Sequence, residues 1–332
     1  MVATRSDVAQ LAGVSTAVVS YVVNNGPRPV SEKSRRAVER AIRELNYRPN
    51  VMARALKGGI SGSVGLLLPD QSNPYFAELA QAIERVLSER ETLVLTGAIG
   101  RSSERSRRYI DLLVERRVDA IIAIGGGTLQ DQLTRNRSVP VAFVDRAGPG
   151  GAQDFSVSTL GSEGAMRAVE HLQFHGHTRI GCIAGPSGVR VADERVEGWR
   201  QTVDASSQQL VAYGDFTAAG GDRAAESLLS PLGRRAAAHL ERPTALFVSA
   251  DVQAMGVIHA CERLGLTVPG DVAVASFDGT KAGAFAHPEL TSLRQPVEAM
   301  AQEIGIFLET GTSGDVRLDG NLVIRQSCGC GS

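Results

Sequence analysis

Four carboxylates, one guanidinium and a pair of aromatic rings follow apolar runs in this chain. Asp70-Gln71-Ser72-Asn73 leads into Tyr75-Phe76, Asp145-Arg146 closes a second run, and Asp251 and Asp278 close two more. Carboxylates and a guanidinium fix hydroxyl groups in a pocket, and aromatic faces stack on flat or ring-shaped ligands. The set therefore suits a sugar or a nucleoside. A carboxylate at the end of a strand can equally be a helix cap, and the recurrence after separate runs is what favours a binding cleft.

Other reactive residue types point elsewhere. His171, His175 and His177 approach metal-ligand spacing, but no carboxylate or cysteine lies near them, and a helix stopped by Gly176 accounts for them. Cys328 and Cys330 supply half of a tetrahedral zinc site and read as a frayed tail. Cys182 and Cys261 sit in apolar patterns and read as small buried hydrophobes, so all four thiols fit a reducing cytoplasm. Gly125-Gly126-Gly127-Thr128 follows a strand pattern without the lysine of a phosphate loop, and reads as a tight turn. No Ser/His/Asp or Cys/His motif indicates a catalytic centre. The expectation is no metal, no cofactor and no enzyme activity.

The elements that must position the cleft residues alternate. Strands are expected at 64–68, 93–98, 120–124, 141–144, 180–184, 245–248 and 272–276, with helices at 77–87, 103–116, 165–175, 191–203 and 252–264 between them. Alternation of this kind builds parallel sheets covered by helices on both faces, whose ligands gather at the carboxyl ends of the strands. Some 270 residues is large for one open sheet, so two similar lobes with a cleft between them are expected. Arg101, Arg105, Arg107, Arg108, Arg116 and Arg117 mix with acids along a solvated helix face.

The chain of 332 residues is 43% hydrophobic and 21% charged with a net charge of −1, an ordinary globular balance. No apolar run reaches the roughly 18 residues of a membrane span, and the start lacks an export-signal pattern. The near-neutral total hides a polarity: residues 1–60 hold ten Lys and Arg against four Asp and Glu, or +6. A basic head on an acidic body points to a phosphate-rich partner for the head alone.

That head reads as three short helices. Thr4 with Asp7 makes a capping box, Val8, Leu11 and Ala12 form a stripe, and Gly13 stops the first helix. Ser15 caps a second at 16–23 with Val19 and Val23 on one side, and Ser31 caps a third striped by Val38, Ala41, Ile42 and Leu45. Two short helices across a tight Gly-containing turn make a helix-turn-helix unit, which sends its second helix into the major groove. A generic three-helix bundle is the alternative, which the local basic charge disfavours. After Tyr47-Arg48-Pro49-Asn50, residues 51–57 make a helix of about two turns, too short to be stable alone. It orders only when something packs on it, as a switchable hinge would.

These residues resemble the lactose-repressor (LacI/GalR) family of bacterial transcription regulators. The resemblance rests on Asp7-Val8-Ala9-Gln10-Leu11-Ala12-Gly13-Val14-Ser15, Val19-Ser20, Asn24, Val30-Ser31 and Tyr47-Arg48-Pro49-Asn50. It continues through 64–70 and Ser72-Asn73-Pro74-Tyr75-Phe76 to His171-Leu172, Gly176-His177, Arg195, Gly198, Asp251 and Phe277-Asp278. It implies a small all-α helix-turn-helix head plus an α/β, periplasmic-binding-protein-like body of two doubly wound parallel-sheet lobes. It further implies base reading by Thr16, Ala17 and Tyr21, phosphate contacts at Ser20 and Asn24, and hinge contacts at Asn50, Ala53 and Leu56, the last a minor-groove wedge. The implied effector contacts are Tyr75, Phe76, Asp145, Arg195, Phe216, Asp251 and Asp278. Tyr21 stands where several relatives have Arg, Val18 and Val191 where a hydroxyl is frequent, and Ala250 where Asn is frequent, so neither operator nor effector transfers.

Residues 1–48 are thus expected as the DNA-binding domain, 49–60 as hinge and linker, and 61–328 as the effector-binding and dimerisation domain. One lobe takes about 61–160 plus 292–320, the other 161–291 plus 321–328. The expected protein is a cytoplasmic, homodimeric regulator, a repressor in most such cases. It binds a near-palindromic operator under control of a sugar or nucleoside-like effector, with no membrane partner. The competing readings are a regulator or architectural DNA-binding protein without effector response, and a two-lobed sugar-binding or enzyme body.

Overall fold

The computed structural model describes residues 3–23, 28–47, 61–100, 102–125, 129, 132–133, 139–145, 154–230 and 241–331. The chain divides into two compact units, Met1–Ser61 and Gly62–Ser332. Among the described residues no single helix is long and apolar enough to cross a membrane.

In the first unit, α1 (Arg5–Ala12) begins at the expected capping box: the Thr4 amide donates to Asp7 Oδ2 at 2.7 Å and the Asp7 amide to Thr4 Oγ1 at 3.4 Å. Gly13, at φ 65°, ends it in the left-handed conformation that glycine adopts without penalty. The Val18 amide donates to Ser15 Oγ at 3.3 Å, opening α2 (Thr16–Val23), which lies at 104° to α1. That angle and the short turn are those of a helix-turn-helix. Ser31 Oγ accepts from the Ser34 amide at 3.2 Å and caps α3 (Glu32–Glu44). Val8, Val19, Val22, Val38, Ala41 and Tyr47 make the core. Leu11, expected in the α1 stripe, is instead 50% exposed, because the burial of α1 centres on Val8 and Ala9.

The second unit starts as alternating strands and helices: β1 (Ser63–Leu68), α4 (Pro74–Ser88), β2 (Leu93–Ala98), α5 (Ser103–Glu115), β3 (Ala120–Ile124), β4 (Val141–Val144) and β5 (Asp154–Thr159). It continues through α6 (Gly161–Phe174), β6 (Ile180–Ala184), α7 (Arg190–Thr202), β7 (Val211–Tyr213), α8 (Ala218–Leu229), β8 (Ala245–Val248), α9 (Asp251–Arg263) and β9 (Ala273–Asp278). Last come β10 (Thr291–Arg294), α10 (Val297–Thr310), β11 (Gly314–Leu318) and β12 (Asn321–Val323). Two six-stranded sheets result, ordered β11-β5-β4-β3-β1-β2 and β12-β10-β9-β8-β6-β7. Among the described residues every pairing is parallel except β10 with β12.

Each sheet is apolar on both faces. Leu66 and Leu68 of β1 face the helices α4 and α10, while the intervening Leu67 joins a second core that includes Ile110 and Leu113 of α5. In the second lobe Trp199 and Phe277 lie on one side and Val248 and Val257 on the other. The chain crosses back to the first lobe later than expected. Thr291–Arg294 still pairs with β9 in the second sheet, so the return follows residue 294 and not residue 292.

The C-terminal tail also departs from expectation, since it is docked and not frayed. Ser327 Oγ donates to the Val274 carbonyl at 2.7 Å and accepts from the Thr291 amide at 2.9 Å, and Cys328 is fully buried. The tail thus gives the starts of β9 and β10 hydrogen-bond partners that local sequence does not reveal.

Helices α8 and α9 touch through glycine. A Cβ on Gly256 would sit 1.8 Å from the Ala218 carbonyl oxygen, and one on Gly221 would sit 2.1 Å from that of Gln253. Backbone atoms cannot swing aside as a side chain does. Gly256→Ala is therefore expected to destabilise the body by about 1–3 kcal/mol or more, read as a lower denaturation midpoint at unchanged slope. A change below about 0.5 kcal/mol, the usual scale of a surface substitution, would contradict this contact.

Candidate effector cleft and DNA-reading face

The residues expected to read DNA lie on one side of α2. Thr16 and Ala17 are exposed, Ser20 and Tyr21 partly buried, and the four fall opposite the buried Val19 and Val22. The Arg28 guanidinium lies 5.9 Å from the Tyr21 ring centroid, so a cation stands beside this α2 residue. In the sequence Arg28 is visible only as part of the bulk charge of the head. Asn24, Asn50, Ala53 and Leu56 lie outside the described residues, as does Arg146.

In the second unit, strand and helix ends bring most of the expected effector residues together. Asn73 caps α4 by accepting from the Tyr75 amide at 3.0 Å, which places Tyr75 at the first turn. The Tyr75 hydroxyl donates to Asp145 Oδ2 at 2.8 Å. From the second lobe, Arg195 of α7 reaches Asp278 at 3.5 Å and donates to the Ser249 carbonyl at 2.5 Å. Its guanidinium carbon lies 3.9 Å from the centroid of the Phe277 ring. Gln295 joins this group, donating to Asp278 Oδ1 at 2.8 Å while its own carbonyl oxygen accepts from Thr159 of the first lobe at 2.7 Å. Gln295 carries no local signal in the sequence, because its place follows only from the late crossing between lobes.

Asp145 and Asp278 adopt φ values of 61° and 116°. Non-glycine residues rarely hold such angles, and the strain concentrates where backbone aims a side chain at a ligand. Tyr75, Asp145, Arg195 and Asp278 are each below a tenth exposed. Phe76 packs on the apolar core beside Tyr75, with ring centroids 5.3 Å apart, and the Phe216 ring covers Gly185. Of these rings, Phe76 adjoins the polar group through Tyr75.

Asp251 is held by internal donors. Its Oδ1 accepts from Ser276 and Ser292, each at 2.6 Å, and its Oδ2 accepts from the Thr280 amide and hydroxyl, both at 2.7 Å. Four donors use the acceptor sites of a carboxylate, so in this structure Asp251 is fully engaged within the chain. Its amide donates to Asp278 Oδ2 at 3.3 Å and so positions that residue.

Burial dominates the electrostatics. Loss of water pushes Asp278 up to about 8, Arg195 opposes the shift, and the negative Asp251 and Asp145 add to it. Asp145 is raised for the same first reason, with Arg195 opposing, and Tyr75 is held well above its ordinary value by burial and by Asp145. Two polar atoms in this cluster, Arg195 Nε and Ser249 Oγ, are shut off from solvent with no hydrogen-bond partner among the described residues. A buried donor left unmade costs about 1–3 kcal/mol, which an incoming hydroxyl would recover.

The raised Asp278 has a pH signature. Between the ordinary carboxylate range and about 8 the folded chain holds a proton that the unfolded chain has released. Stability from this group is complete below the unfolded value and is lost as pH rises through the folded one. Asp278→Asn, which keeps a neutral side chain at every pH, is expected to flatten the decline in body stability between pH 5 and pH 9. Parallel pH profiles for the two proteins in denaturant titrations would refute it.

A separate depression of about 490 Å³ lies beside α4, lined by Glu78, Glu84, Arg85, Lys281 and Glu298 among others. It shares no residue with the cleft.

Comparison with known proteins gives two matched regions. Residues 4–50 match the model for bacterial regulatory proteins, lacI family, and residues 169–328 match the periplasmic binding protein-like domain. The ribose operon repressor of Escherichia coli (strain K12) is 36% identical over 310 residues, 90% of this chain and 90% of that protein. The HTH-type transcriptional repressor PurR of Aliivibrio fischeri (strain ATCC 700601 / ES114) is 34% identical over 316 residues, 92% of this chain and 91% of its own. Among solved structures, the lac repressor dimer bound to operator and the anti-inducer ONPF matches with a TM-score of 0.83 at 27% identity, covering 99% of each chain.

Proposed function

This chain belongs to the lacI family of bacterial regulatory proteins, and from that premise we propose a sequence-specific transcriptional repressor controlled by a sugar or nucleoside-like effector. The chain acts as a homodimer, each head taking half of a near-palindromic site, because two-fold protein symmetry requires two-fold DNA symmetry. The α2 face of Thr16, Ala17, Ser20 and Tyr21, with Arg28 beside it, meets the major groove. The lack of a strong hydrogen-bonding side chain at 16, 17 and 21 other than hydroxyls shifts readout toward methyl and van der Waals contacts.

The cleft observation that carries the effector reading is the buried Arg195, paired with Asp278, stacked on Phe277 and left with an unmatched Nε among the described residues. A ligand hydroxyl accepts from that guanidinium and donates to Asp145 or Asp278, while Tyr75, Phe76 and Phe216 bound its ring. A Lys in place of Arg195 would supply charge without the planar fork. Residues 49–60 couple the two events: ligand in the cleft biases the lobes, and that bias changes how the hinge segments of the two subunits pair.

The test joins two assays. A thermal-shift panel of pentoses, hexoses, nucleosides and purines identifies ligands that stabilise the chain. Genome-wide footprinting is expected to enrich a palindrome, with specific binding at least ~10³-fold above nonspecific at physiological salt. A footprint without an enriched palindrome would turn the reading into that of an architectural DNA-binding protein, and product formed from a panel ligand would turn it into an enzyme.

A further inference from the structure

The two residue pairs that look too small for a metal site when read along the chain come together in the fold. His171 and His175 sit on the last turn and C-cap of α6, one helical turn apart and on one face. Cys328 and Cys330 arrive from the docked tail, 157 residues after His171 and 155 after His175 respectively. His171 Nε2 lies 3.2 Å from Cys328 Sγ and 3.7 Å from Cys330 Sγ, and His175 Nε2 lies 3.0 Å from Cys330 Sγ. All four ligand atoms lie within 4.8 Å of one another.

We propose that His171, His175, Cys328 and Cys330 form a structural zinc site that clamps the C-terminal tail to the end of α6. A tetrahedral Cys2His2 zinc centre, with bonds of about 2.3 Å to sulfur and about 2.0 Å to nitrogen, has ligand-to-ligand edges of roughly 3.3–3.8 Å. The three histidine–cysteine separations given above lie within about 0.5 Å of these edges, and the other separations in the group, at most 4.8 Å, close by up to about 1 Å when the ion draws its ligands in. Gly329, at φ 96°, supplies the left-handed turn between the two cysteines that an L side chain rarely adopts. Cys328 is delivered by a fixed backbone: its neighbour Ser327 is hydrogen-bonded to strands β9 and β10, and Thr291 Oγ1 approaches Cys328 Sγ to 3.1 Å. His177, two residues past the helix, belongs elsewhere; its Nδ1 lies 3.0 Å from Thr244 Oγ1.

The ligand count sets the role. Four protein ligands close the coordination sphere, which leaves no position for a substrate or an activated water, so the ion holds structure and does no catalysis. Two thiolates balance the charge of Zn²⁺, and the neutral cluster suits a site whose Cys328 is buried. Two Zn–S and two Zn–N bonds form, the waters of the aqua ion leave, and each thiol passes its proton to solvent. None of the four residues belongs to the effector cleft, so the proposal stands independently of the regulatory reading.

The full chain, purified under reducing conditions and stripped with a chelator, is titrated with ZnCl2 against a chromophoric competitor. One zinc per chain and release of about two protons at pH 7 are expected. Cobalt(II) in place of zinc is expected to give the intense visible bands of a tetrahedral site together with a thiolate charge-transfer band. Cys330→Ser and His175→Ala each lose more than the 10- to 100-fold in zinc affinity that an outer-shell partner is worth, whereas His177→Ala leaves it unchanged. Should these variants unfold, the wild-type chain decides alone: zinc is expected to slow alkylation of Cys328 and Cys330 by iodoacetamide, mapped by peptide mass. Substoichiometric zinc, octahedral cobalt spectra, an equal loss in His177→Ala, or alkylation indifferent to zinc would overturn the site.

Discussion

Arg195→Ala abolishes the response to effector while the protein still folds and binds its operator. Arg195 is the cationic member of the cleft, and losing a hydrogen bond from a charged donor to the ligand costs about 1.5–3 kcal/mol of ligand binding, roughly 10- to 150-fold in affinity. The fold tolerates the change because the partner left behind, Asp278, is pushed up to about 8 and carries a proton at neutral pH. A neutral carboxyl that still accepts from Gln295 at 2.8 Å costs less to strand than a bare charge. Arg195→Lys separates charge from geometry: it keeps the cation, loses the flat face held 3.9 Å from Phe277, and recovers only part of the affinity. Isothermal titration with any ligand found by thermal shift reads both variants. Unchanged ligand affinity in Arg195→Ala would move the effector out of this cleft.

Ala17→Glu carries the other large effect, on the head. Ala17 is exposed on α2, so a glutamate there disturbs no packing. On DNA it brings a carboxylate toward the phosphates and the acceptor-rich major-groove edges. Like charges brought together at an interface cost several kcal/mol, which corresponds to at least about 100-fold weaker operator binding. Nonspecific binding weakens as well, since part of the charge that displaces counterions is cancelled. Ligand affinity of the body stays the same. An operator affinity within about threefold of wild type, measured at fixed salt, would show that this face of α2 does not meet the groove.

How much of this was readable along the chain depends on how local each feature is. The caps at Thr4, Ser15 and Ser31 and the stop at Gly13 are decided within four residues, and the structure has each of them. Six of the seven expected strands match to within a residue; the last slides from 272–276 to Ala273–Asp278, so that Asp278 ends the strand and does not follow it. Of the five unread strands, β7, β11 and β12 are short edge segments without buried residues, β5 alternates serine and threonine with apolar residues, which masks its central place between β4 and β11, and β10 is a four-residue Thr-Ser-Leu-Arg segment whose burial between β9 and β12 its polar residues hide.

Non-local features escaped for a different reason. Asp251 is recognisable as a carboxylate after a strand, but its donors Ser276, Thr280 and Ser292 come from segments 25 to 41 residues away, and only the fold shows that it is engaged by them. The histidine and cysteine pairs each lack half a coordination sphere in sequence, and only the antiparallel return through β12 carries the tail to α6. Residue type and spacing named the chemistry; the crossings of the chain between lobes decided which groups share it.

The central claim is that cleft and DNA head are energetically linked, and linkage is reciprocal: ligand alters operator affinity by the same factor that operator alters ligand affinity. The most direct measurement is fluorescence-anisotropy titration of the footprinted operator, with and without a saturating concentration of the stabilising ligand. A change of roughly 5- to 150-fold, corresponding to 1–3 kcal/mol of coupling, with the same factor recovered when ligand binding is titrated with and without operator, is the predicted result. Identical operator curves at ligand concentrations that fully stabilise the body would contradict it.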